Sequence, residues 1–504
     1  MISRVGKDFD VILISGEYWD DHPLSPVGVI AKVLESKGYS VGIIEKPIKN
    51  EDFLKLGSPK LFFGVTSGSI DSMLNNYTPL KKRREDDEFN KTYSMPDRAV
   101  IFYCNKIRET HKAIKAKIVI GGIEASLRRF AHYDYWDNDV RRSILLDSKA
   151  DILVYGNGEK QIVEIAEKIK NGKELNNILG TTIISKETPN DFEIIPSFEE
   201  IKKDKIQFCK AQTMFSIEKN LAQKTGDRFV LQYKFPNYTS KDLDDLFALN
   251  FSRTLHPKSL LKMAKWSVVT HRGCLGNCNF CSITLHQGKK IISRTEKNIL
   301  DELKKISKIK EFSGFIDDLG GPSANMYGMD LIDGRIDTSH KRLIHLMKKA
   351  REISGIKKIF VRSGVRYDFA MNSKEYIQEL SKYHVSGCLK IAPEHVSENV
   401  LKLMNKPSKK LKEFVDYYNS INEKQKIAYY FMIGHPGDDI ESVKELKNKM
   451  KSLDADSFQL FTPTPMTVST CMYYTGLNPY TLVPINVVYD YNTKKKMKRI
   501  LFDK

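Results

Sequence analysis

The stretch Ser267-Val-Val-Thr-His-Arg-Gly-Cys274-Leu-Gly-Asn-Cys278-Asn-Phe-Cys281 places three of the seven cysteines within eight residues. The apolar residues at its start predict a strand over 267–270, so the cysteines follow on the loop after that strand. The other four cysteines stand singly, at Cys104, Cys209, Cys388 and Cys471. We interpret each of these four as a small buried apolar residue. An odd number of cysteines without a secretion signal does not indicate a disulfide framework.

Strands and helices alternate on the C-terminal side of this stretch. Five more candidate strands follow, at Gly314–Asp317, Lys358–Arg362, Leu389–Ala392, Ala428–Ile433 and Phe458–Phe461. Helices rich in Lys, Glu and Leu separate them. Six successive strand–helix units predict a partial (β/α)6 barrel over residues 256–475, with its reactive groups at the C-terminal ends of the strands.

The N-terminal side also alternates, which gives the whole chain an α/β pattern. Its predicted strands are Val11–Ser15, Val41–Ile44, Phe62–Val65, Lys117–Ile120 and Ile152–Val154. Intervening helices predict an open parallel sheet, covered on both faces, over residues 1–170. Residues 171–255 show no sustained period and are predicted to form an extended connector with one or two short helices. Residues 476–504 are predicted to be a short basic C-terminal tail.

Length and composition limit the class of protein. The chain has 504 residues, of which 41% are hydrophobic and 10% aromatic, enough for roughly three units with real cores. No stretch of about 18 apolar residues predicts a membrane span, and the first residues do not resemble a secretory signal. We therefore expect a cytoplasmic protein. A net charge of +18 is compatible with nucleic acid binding through phosphate contacts. Lys-rich runs, however, are usually solvated surfaces, so charge alone does not favour nucleic acid as a partner.

The spacing C-x3-C-x2-C suits an iron–sulfur cluster. Three thiolates can hold three irons of a [4Fe–4S] cube and leave the fourth iron without a protein ligand. Gly273 and Gly276 would let the backbone fold tightly around it. The alternative is a zinc knot completed by His271 or His286. Zinc sites usually pair two C-x2-C units, and the chain has no second one, so the cluster is favoured.

The pattern C-x3-C-x-φ-C, with Phe280 as the aromatic residue, resembles the signature of the radical S-adenosylmethionine (SAM) superfamily. The resemblance implies that Cys274, Cys278 and Cys281 hold the cluster and that Phe280 packs near the adenine of SAM. In that superfamily the cluster cleaves SAM reductively to a 5′-deoxyadenosyl radical, which abstracts hydrogen from a substrate. Such chemistry needs an enclosed pocket.

Further segments resemble the SAM-binding parts of the same superfamily. Asp318-Leu-Gly-Gly-Pro322 follows the second barrel strand and is similar to the Gly-Gly-Glu segment that contacts the methionine of SAM, here through Gly320 and Gly321. Pro322 stands where Glu is common, so the contact would be mainly through the backbone. Ile433-Gly434-His-Pro-Gly437 ends the fifth strand and resembles the glycine-containing segment that binds adenine.

Polar residues also end the third and fourth barrel strands. Arg362 and Ser363 end the third, and Lys390, Glu394 and His395 bracket the end of the fourth. We interpret them as candidate contacts to the ribose, the carboxylate or the substrate. Each residue taken singly also fits a structural role.

The chain is identified as a member of the YgiQ-type family by six stretches: 65–72, 121–129, 271–274, 282–288, 318–327 and 390–395. This resemblance implies the cofactors and leaves the substrate unknown. The N-terminal domain resembles a cobalamin-binding domain at Gly121-Gly122 and at residues 151–159. Asp20-Asp-His22 supplies two residues of the Asp-x-His-x-x-Gly pattern and lacks its glycine. Cobalamin is therefore an open alternative that is not favoured over a domain that binds substrate or only packs.

The resemblance leaves several functions to compare. A methylthiotransferase would need three further N-terminal cysteines, and the first 250 residues contain only Cys104 and Cys209. A cobalamin-dependent radical SAM methyltransferase is the second alternative. A non-catalytic iron–sulfur or zinc protein that binds nucleic acid is the third. For the favoured radical SAM enzyme we expect a flavodoxin or a ferredoxin as electron donor.

Overall fold

The computed structural model describes residues 8–84, 95–112, 116–406, 409–422, 424–455 and 457–502. The chain forms two compact units, each built from separate segments. The first comprises Met1–Asn237, Leu249–Lys262 and Thr462–Val483. The second comprises Tyr238–Ala248, Met263–Phe461 and Pro484–Lys504.

A nine-stranded sheet forms the centre of the first unit. In spatial order its strands are Val41–Glu45, Val11–Ser15, Phe62–Thr66, Lys117–Ile120, Ile152–Val154, Thr181–Ser185, Arg228–Gln232, Leu221–Thr225 and Glu193–Ile195. The first five are parallel. Val11–Ser15 is an unbroken and wholly buried run, as expected for a strand covered on both faces. The predicted open parallel α/β domain is confirmed.

Residues 171–255, for which the sequence predicts an extended connector, contain the last four of these strands. Thr181–Ser185 pairs antiparallel with Ile152–Val154, so the sheet continues without a break. The hairpin formed by Leu221–Thr225 and Arg228–Gln232 turns at Gly226, whose φ of +60° suits a two-residue hairpin turn. The segment also contributes the helices Phe198–Lys203, Lys205–Met214 and Ser240–Phe247.

Helices flank the sheet of the first unit. They are Pro26–Ser36, Asn50–Leu54, Ser72–Asn76, Ala99–Thr110, Ile123–Ser126, Ile144–Ser148, Glu159–Lys170 and Val468–Thr475. A small hairpin joins His132–Asp134 to Asp139–Arg141. The helix Val468–Thr475 follows the last barrel strand in sequence, yet it packs in the first unit against Lys205–Met214.

Six successive parallel strands form the barrel of the second unit. They lie at Val268–Val269, Phe315–Ile316 with Leu319–Gly320, Lys358–Ile359, Cys388–Glu394, Lys426–Ile433 and Phe458–Leu460. Neighbours in the chain are neighbours in space, because every consecutive pair is joined in parallel, the third and fourth through a bridge from Val365 to Ile391. The predicted partial barrel is confirmed.

Helices alternate with the barrel strands. They are Ile283–Gln287, Glu296–Ile306, Lys341–Arg351, Tyr367–Ala370, Lys374–Glu379, Glu398–Leu403, Leu411–Ser420 and Ile440–Ser452. Short antiparallel pairs join His271–Arg272 to Ile292–Ser293 and Leu331–Ile332 to Arg335–Ile336. The predicted tail contains the helix Tyr491–Phe502, which packs on Ile440–Ser452. Among the described residues, none of the helices is both long enough and apolar enough to cross a membrane.

Candidate cluster and cofactor site

The cysteine loop begins where the first barrel strand ends. Cys274 is buried, whereas Cys278 and Cys281 are half-buried. The amide of Cys281 donates to the carbonyl of Cys278 at 3.0 Å, which closes a tight turn between the last two cysteines. Gly273 has a φ of +86°, and a side chain there would collide with the carbonyl of Lys290. The tight fold that the sequence predicts at Gly273 is therefore a requirement of this backbone.

Asparagines tie the cysteine loop to the segment after the fourth strand. Asn279 donates from its amide to Met404 at 2.9 Å and from its side chain to Leu403 at 2.8 Å. The side chain of Asn405 donates to the carbonyl of Asn277 at 2.8 Å. The loop is thus fixed at one position in each of the two intervals that separate its cysteines, at Asn277 and at Asn279.

Positive charge and hydroxyl donors face the thiols. Nη1 of Arg366 lies 3.8 Å from Sγ of Cys278, and Oγ of Ser323 lies 3.6 Å from Sγ of Cys274. Burial raises the pKa of Cys281 to about 12. Burial also raises the pKa of Cys278, against the opposing positive charges of Lys406 and Arg366.

Three thiols make up the donor set of the cysteine loop. Across the described residues, no three His, Cys, Asp or Glu side chains are grouped to hold one metal ion. The thiolates of a cubane each bind a different iron, so they surround a volume instead of meeting at a point. Three thiols on one loop, with a guanidinium and a hydroxyl beside two of them, suit that arrangement.

The two glycines of the Asp318–Pro322 segment have different surroundings. A methyl group on Gly321 would lie 2.5–2.8 Å from three ring atoms of His271, so this glycine makes room for the ring. A methyl group on Gly320 would meet only Ala324 and Ser363, at ordinary contact distances of 3.5–3.6 Å. Packing thus explains Gly321, and only Gly320 is left with space beside its backbone.

The carboxylate of Asp318 organises the end of the third strand. It accepts from the amide of Arg362 at 2.7 Å, from the amide of Ser363 at 3.1 Å, and from the hydroxyl of Ser363. The Arg362 side chain is 47% exposed and lies 3.7 Å from Asp317. Both predicted contact residues therefore have structural partners in this unit.

Glu394 ends the fourth strand in a strained conformation. Its φ is +71°, and the pairing register shifts between Ile391 and Glu394. Oε1 lies 3.5 Å from Nζ of Lys406, whereas the buried Oε2 has no hydrogen-bond partner among the described residues. Burial raises the pKa of this carboxyl. Strain and an unsatisfied buried oxygen are features of ligand sites. Lys390, by contrast, is exposed.

A buried aspartate joins the loops after the fourth and fifth strands. Asp438 accepts from the amide of Gly434 at 2.7 Å and lies 3.4 Å from Nε2 of His395. His435 is buried, and its ring packs edge-on at 6.4 Å from the ring of Phe280. The structure thus brings Phe280 next to the predicted adenine segment, in which Gly434 has a φ of +74°.

Three residues at the site lack an individual assignment from the sequence. Ser323 and Asn325 lie in a stretch noted only for family resemblance, and Arg366 lies four residues beyond the end of the predicted third strand, Lys358–Arg362. Asn325 is fully buried and holds the backbone of Arg366 through two hydrogen bonds of 2.9 and 3.0 Å. Asn325 lies eight residues beyond the end of the predicted second strand at Asp317, so no strand-end pattern in the sequence indicates its role.

Two residues of the segments that resemble a cobalamin-binding domain, His22 and Gly122, pack against other residues of the first unit. His22 is fully buried; its Nδ1 accepts from the amide of Leu24 at 3.1 Å, and its Nε2 lies 3.0 Å from Nη1 of Arg253. Both ring nitrogens are therefore engaged within the unit. A side chain on Gly122 would collide with the hydroxyl of Thr66, so this glycine serves packing.

Two family models match the chain, "Radical SAM N-terminal" over residues 1–270 and "Radical SAM superfamily" over residues 268–450. A UPF0313 protein of Clostridium botulinum is 41% identical over 98% of this chain and 84% of its own length. A UPF0313 protein of Methanocaldococcus jannaschii is 41% identical over 98% of this chain and 89% of its own length.

Two solved structures are similar in fold. The first is the radical SAM methyltransferase TsrM from Kitasatospora setae with cobalamin and a [4Fe–4S] cluster bound, with a TM-score of 0.56 and 15% identity over 92% of this chain and 75% of that one. The second is the cobalamin-dependent SAM radical enzyme OxsB with aqua-cobalamin bound, with a TM-score of 0.52 and 10% identity over 99% of this chain and 56% of that one.

The family models and the curated relatives agree on one assignment. They confirm the prediction of a radical SAM enzyme, for which the family implies a [4Fe–4S] cluster and SAM as cofactors. The chain therefore belongs to the UPF0313 family within the radical SAM superfamily, which confirms its resemblance to YgiQ-type proteins.

Proposed function

We propose that the enzyme holds its [4Fe–4S] cluster on Cys274, Cys278 and Cys281, cleaves SAM reductively and abstracts hydrogen from a substrate. The observation that carries this proposal is the loop itself. Its three thiols follow the first strand of a parallel barrel, at the end where such barrels place reactive groups, and Arg366 faces one of them. When bound, the cluster supplies the electron that cleavage of SAM requires.

The chain's own residues would orient SAM. Gly320 leaves backbone accessible for the methionine end, and Phe280 with Gly434 forms the adenine side. The buried Oε2 of Glu394 is an acceptor for a ribose hydroxyl or an ammonium group. Arg362 and Ser363 act mainly through Asp318, which fixes the loop that would border the ligand.

We further propose that a flavodoxin or a ferredoxin delivers the electron. The four cysteines outside the loop do not form a second cluster site within the described residues: Cys104 is buried alone, Cys388 is exposed, and Cys209 lies beside Cys471. The cytoplasm is the proposed compartment, because its reducing thiol pool keeps cluster cysteines free.

Anaerobic reconstitution tests this proposal. The wild-type protein, loaded with iron and sulfide and treated with dithionite and SAM, is expected to hold four irons and to release 5′-deoxyadenosine. A triple variant, with alanine at Cys274, Cys278 and Cys281, is expected to do neither. The exposed Cys388→Ala serves as the matched control and retains both. Zinc in place of four irons, without deoxyadenosine, would overturn the proposal and leave a binding protein, whose nucleic acid affinity would fall steeply with salt.

A cobalamin-dependent methyltransferase is the second candidate, because the parallel sheet and the fold similarity to TsrM and OxsB favour it. Both ring nitrogens of His22 already have hydrogen-bond partners, which disfavours cobalt ligation by that ring. Purification from cells supplied with hydroxocobalamin distinguishes the two. Stoichiometric corrinoid in the purified protein would support the second candidate, whereas corrinoid-free protein that forms deoxyadenosine supports the first.

A further inference from the structure

We propose that Arg366 is a positioning residue that raises the reduction potential of the cluster by donating a hydrogen bond to the Cys278 thiolate. Its Nη1 lies 3.8 Å from that sulfur, within reach of an N–H···S contact. This inference rests on the proposed function, because Cys278 must be a cluster ligand for the contact to matter.

The backbone of Arg366 is held from both sides by one buried amide. Its N–H donates to Oδ1 of Asn325 at 2.9 Å, and its carbonyl accepts from Nδ2 of Asn325 at 3.0 Å. Asn325 comes from the segment after the second strand, whereas Arg366 comes from the segment after the third. These two hydrogen bonds therefore fix the backbone position of Arg366, from which its side chain extends.

The guanidinium is aimed by a second clamp. Nε donates to Oδ1 of Asp368 at 2.8 Å and Nη2 donates to Oδ2 at 2.6 Å, a two-point geometry that arginine forms with carboxylates. These bonds occupy one edge of the guanidinium and leave Nη1 directed at the cysteine loop. Gly276 completes the arrangement, because a side chain there would collide with Nη1.

A donor aimed at a ligating sulfur changes the redox energetics of a cluster. Reduction adds one negative charge, so a charge-assisted hydrogen bond to a thiolate stabilises the reduced form more than the oxidised form. The Arg366 side chain is only 10% exposed, so water screens this interaction little. Asp368 reduces the net charge of the pair but leaves the Nη1–H dipole directed at the sulfur.

A redox titration of the reconstituted enzyme, followed by electron paramagnetic resonance, tests the inference. Arg366→Gln is expected to retain four irons and to shift the midpoint potential to a more negative value. Arg366→Lys keeps the charge and loses the two-point clamp. Its midpoint potential is expected to lie between those of the wild type and Arg366→Gln. Arg342→Gln, on an exposed arginine that pairs with Asp330, is the control and leaves the potential unchanged.

The outcomes separate this inference from the proposed function. A wild-type protein without four irons would overturn both. A wild-type cluster together with an unshifted potential in Arg366→Gln would overturn the role of Arg366 alone. If Arg366→Gln does not retain its cluster, Arg366→Lys serves instead, since it keeps the positive charge and loses the two-point clamp that aims the donor. A negative shift in Arg366→Lys supports the inference, and an unchanged potential overturns it.

A separate observation in the first unit carries a second proposal. Cys209, on Lys205–Met214, and Cys471, on Val468–Thr475, are both buried, and their sulfurs lie 3.8 Å apart. Although the sequence predicts two solitary apolar cysteines, the fold pairs them. We propose that this pair is a site of reversible disulfide formation.

The neighbouring groups favour one thiol as the nucleophile. Sγ of Cys471 donates to Sγ of Cys209, and this contact lowers the pKa of Cys209 to about 7. With hydrogen peroxide as oxidant, the Cys209 thiolate attacks an oxygen, forms a sulfenic acid and releases water after proton uptake. The Cys471 thiol then displaces the sulfenic oxygen as a second water, and the S–S bond forms. Two electrons pass from the thiols to the peroxide.

Peptide mapping under non-reducing conditions tests the pair. Full-length protein is treated with hydrogen peroxide, alkylated under denaturation and digested. We expect a Cys209–Cys471 cross-linked peptide that dithiothreitol removes, that is lost in Cys471→Ser and that persists in Cys104→Ser. Alkylation of both residues as separate thiols, at a peroxide dose that oxidises the cluster cysteines, would overturn this proposal. The triple cluster variant gives the same readout without competing thiols.

Discussion

A methyl group on Gly321 would lie 2.5 Å from Cε1 of His271, so the imidazole occupies the space that a side chain would need. His271 is fully buried at the start of the cysteine loop. Gly321→Ala is therefore expected to displace the ring and to lower the free energy of unfolding of the apoprotein by ~1–3 kcal/mol, the usual cost of overpacking. Urea denaturation measures the change.

Gly320→Ala is the matched comparison. Its methyl group would make only ordinary contacts, so the free energy of unfolding should stay within about 0.5 kcal/mol of wild type. If SAM approaches this backbone, its affinity should fall by about tenfold or more, equivalent to ~1.4 kcal/mol. Equilibrium binding of SAM to the reconstituted protein measures it. Unchanged affinity would remove Gly320 from the proposed site.

Asp318→Asn should weaken the third strand end. The carboxylate accepts three hydrogen bonds from Arg362 and Ser363, and an amide cannot replace the charge on which they depend. We expect a loss of ~1–3 kcal/mol in the free energy of unfolding. Asp333→Asn, at an exposed turn with a φ that asparagine tolerates, should change it little. Equal losses in both variants would contradict the role of Asp318.

Cys281→Ala should abolish cluster assembly and leave the N-terminal unit folded, because Cys281 belongs to the second unit and the nine-stranded sheet to the first. Iron and sulfide analysis after reconstitution measures the first effect, and far-ultraviolet circular dichroism measures the second. Cys388→Ala is the control. A full complement of iron in Cys281→Ala would rule out the assignment.

Acid should destabilise the first unit through His132. Burial lowers the pKa of His132 to about 4, and the charge of Arg128 acts in the same direction. Between pH 6.5 and 4 the unfolded chain binds a proton that the folded chain does not, so the free energy of unfolding decreases as the pH falls through this window. The contribution is at most ~3 kcal/mol.

His132→Gln should lower the slope of the free energy of unfolding against pH, by an amount that corresponds to at most about one bound proton. Urea denaturation at several pH values between 4 and 6.5 measures this slope. His345→Gln, on an exposed ring, is the matched control. A slope that is the same in wild type and His132→Gln would show that His132 binds the same number of protons in the folded and unfolded states, which would contradict the prediction.

The strands that form the two cores could be predicted from continuous apolar runs. Val11–Ser15, Lys117–Ile120 and Ile152–Val154 have the predicted bounds. Such strands can be recognised in the sequence because both faces of a parallel sheet are buried, so nearly every residue is apolar. The strands of residues 171–255 were not predicted, since Leu221–Thr225 carries Gln and Lys among its apolar residues. Gly226, in the two-residue turn, is the one local feature of this segment that indicates a hairpin.

The residues of the candidate site also differ in how far the sequence predicts them. The three cysteines stand in one short motif, so spacing alone indicates a common ligand. Arg366 and Asn325 come from different barrel loops, and their contact depends on the register between the second and third strands. Cys209 and Cys471 are 262 positions apart, and no local pattern brings them together. Whether the three cysteines, Phe280, Gly320, Glu394 and Gly434 bind the cofactors stays a prediction.

The helix Val468–Thr475 imposes an order of events on synthesis. Its partner helix Lys205–Met214 leaves the ribosome long before it, together with most of the nine-stranded sheet. Until residue 475 has emerged, that partner helix lacks its contact with Val468–Thr475, including the packing of Phe208 on Tyr474. The N-terminal unit therefore cannot finish folding before the whole barrel has been translated, unlike a domain that closes as soon as its own sequence is complete.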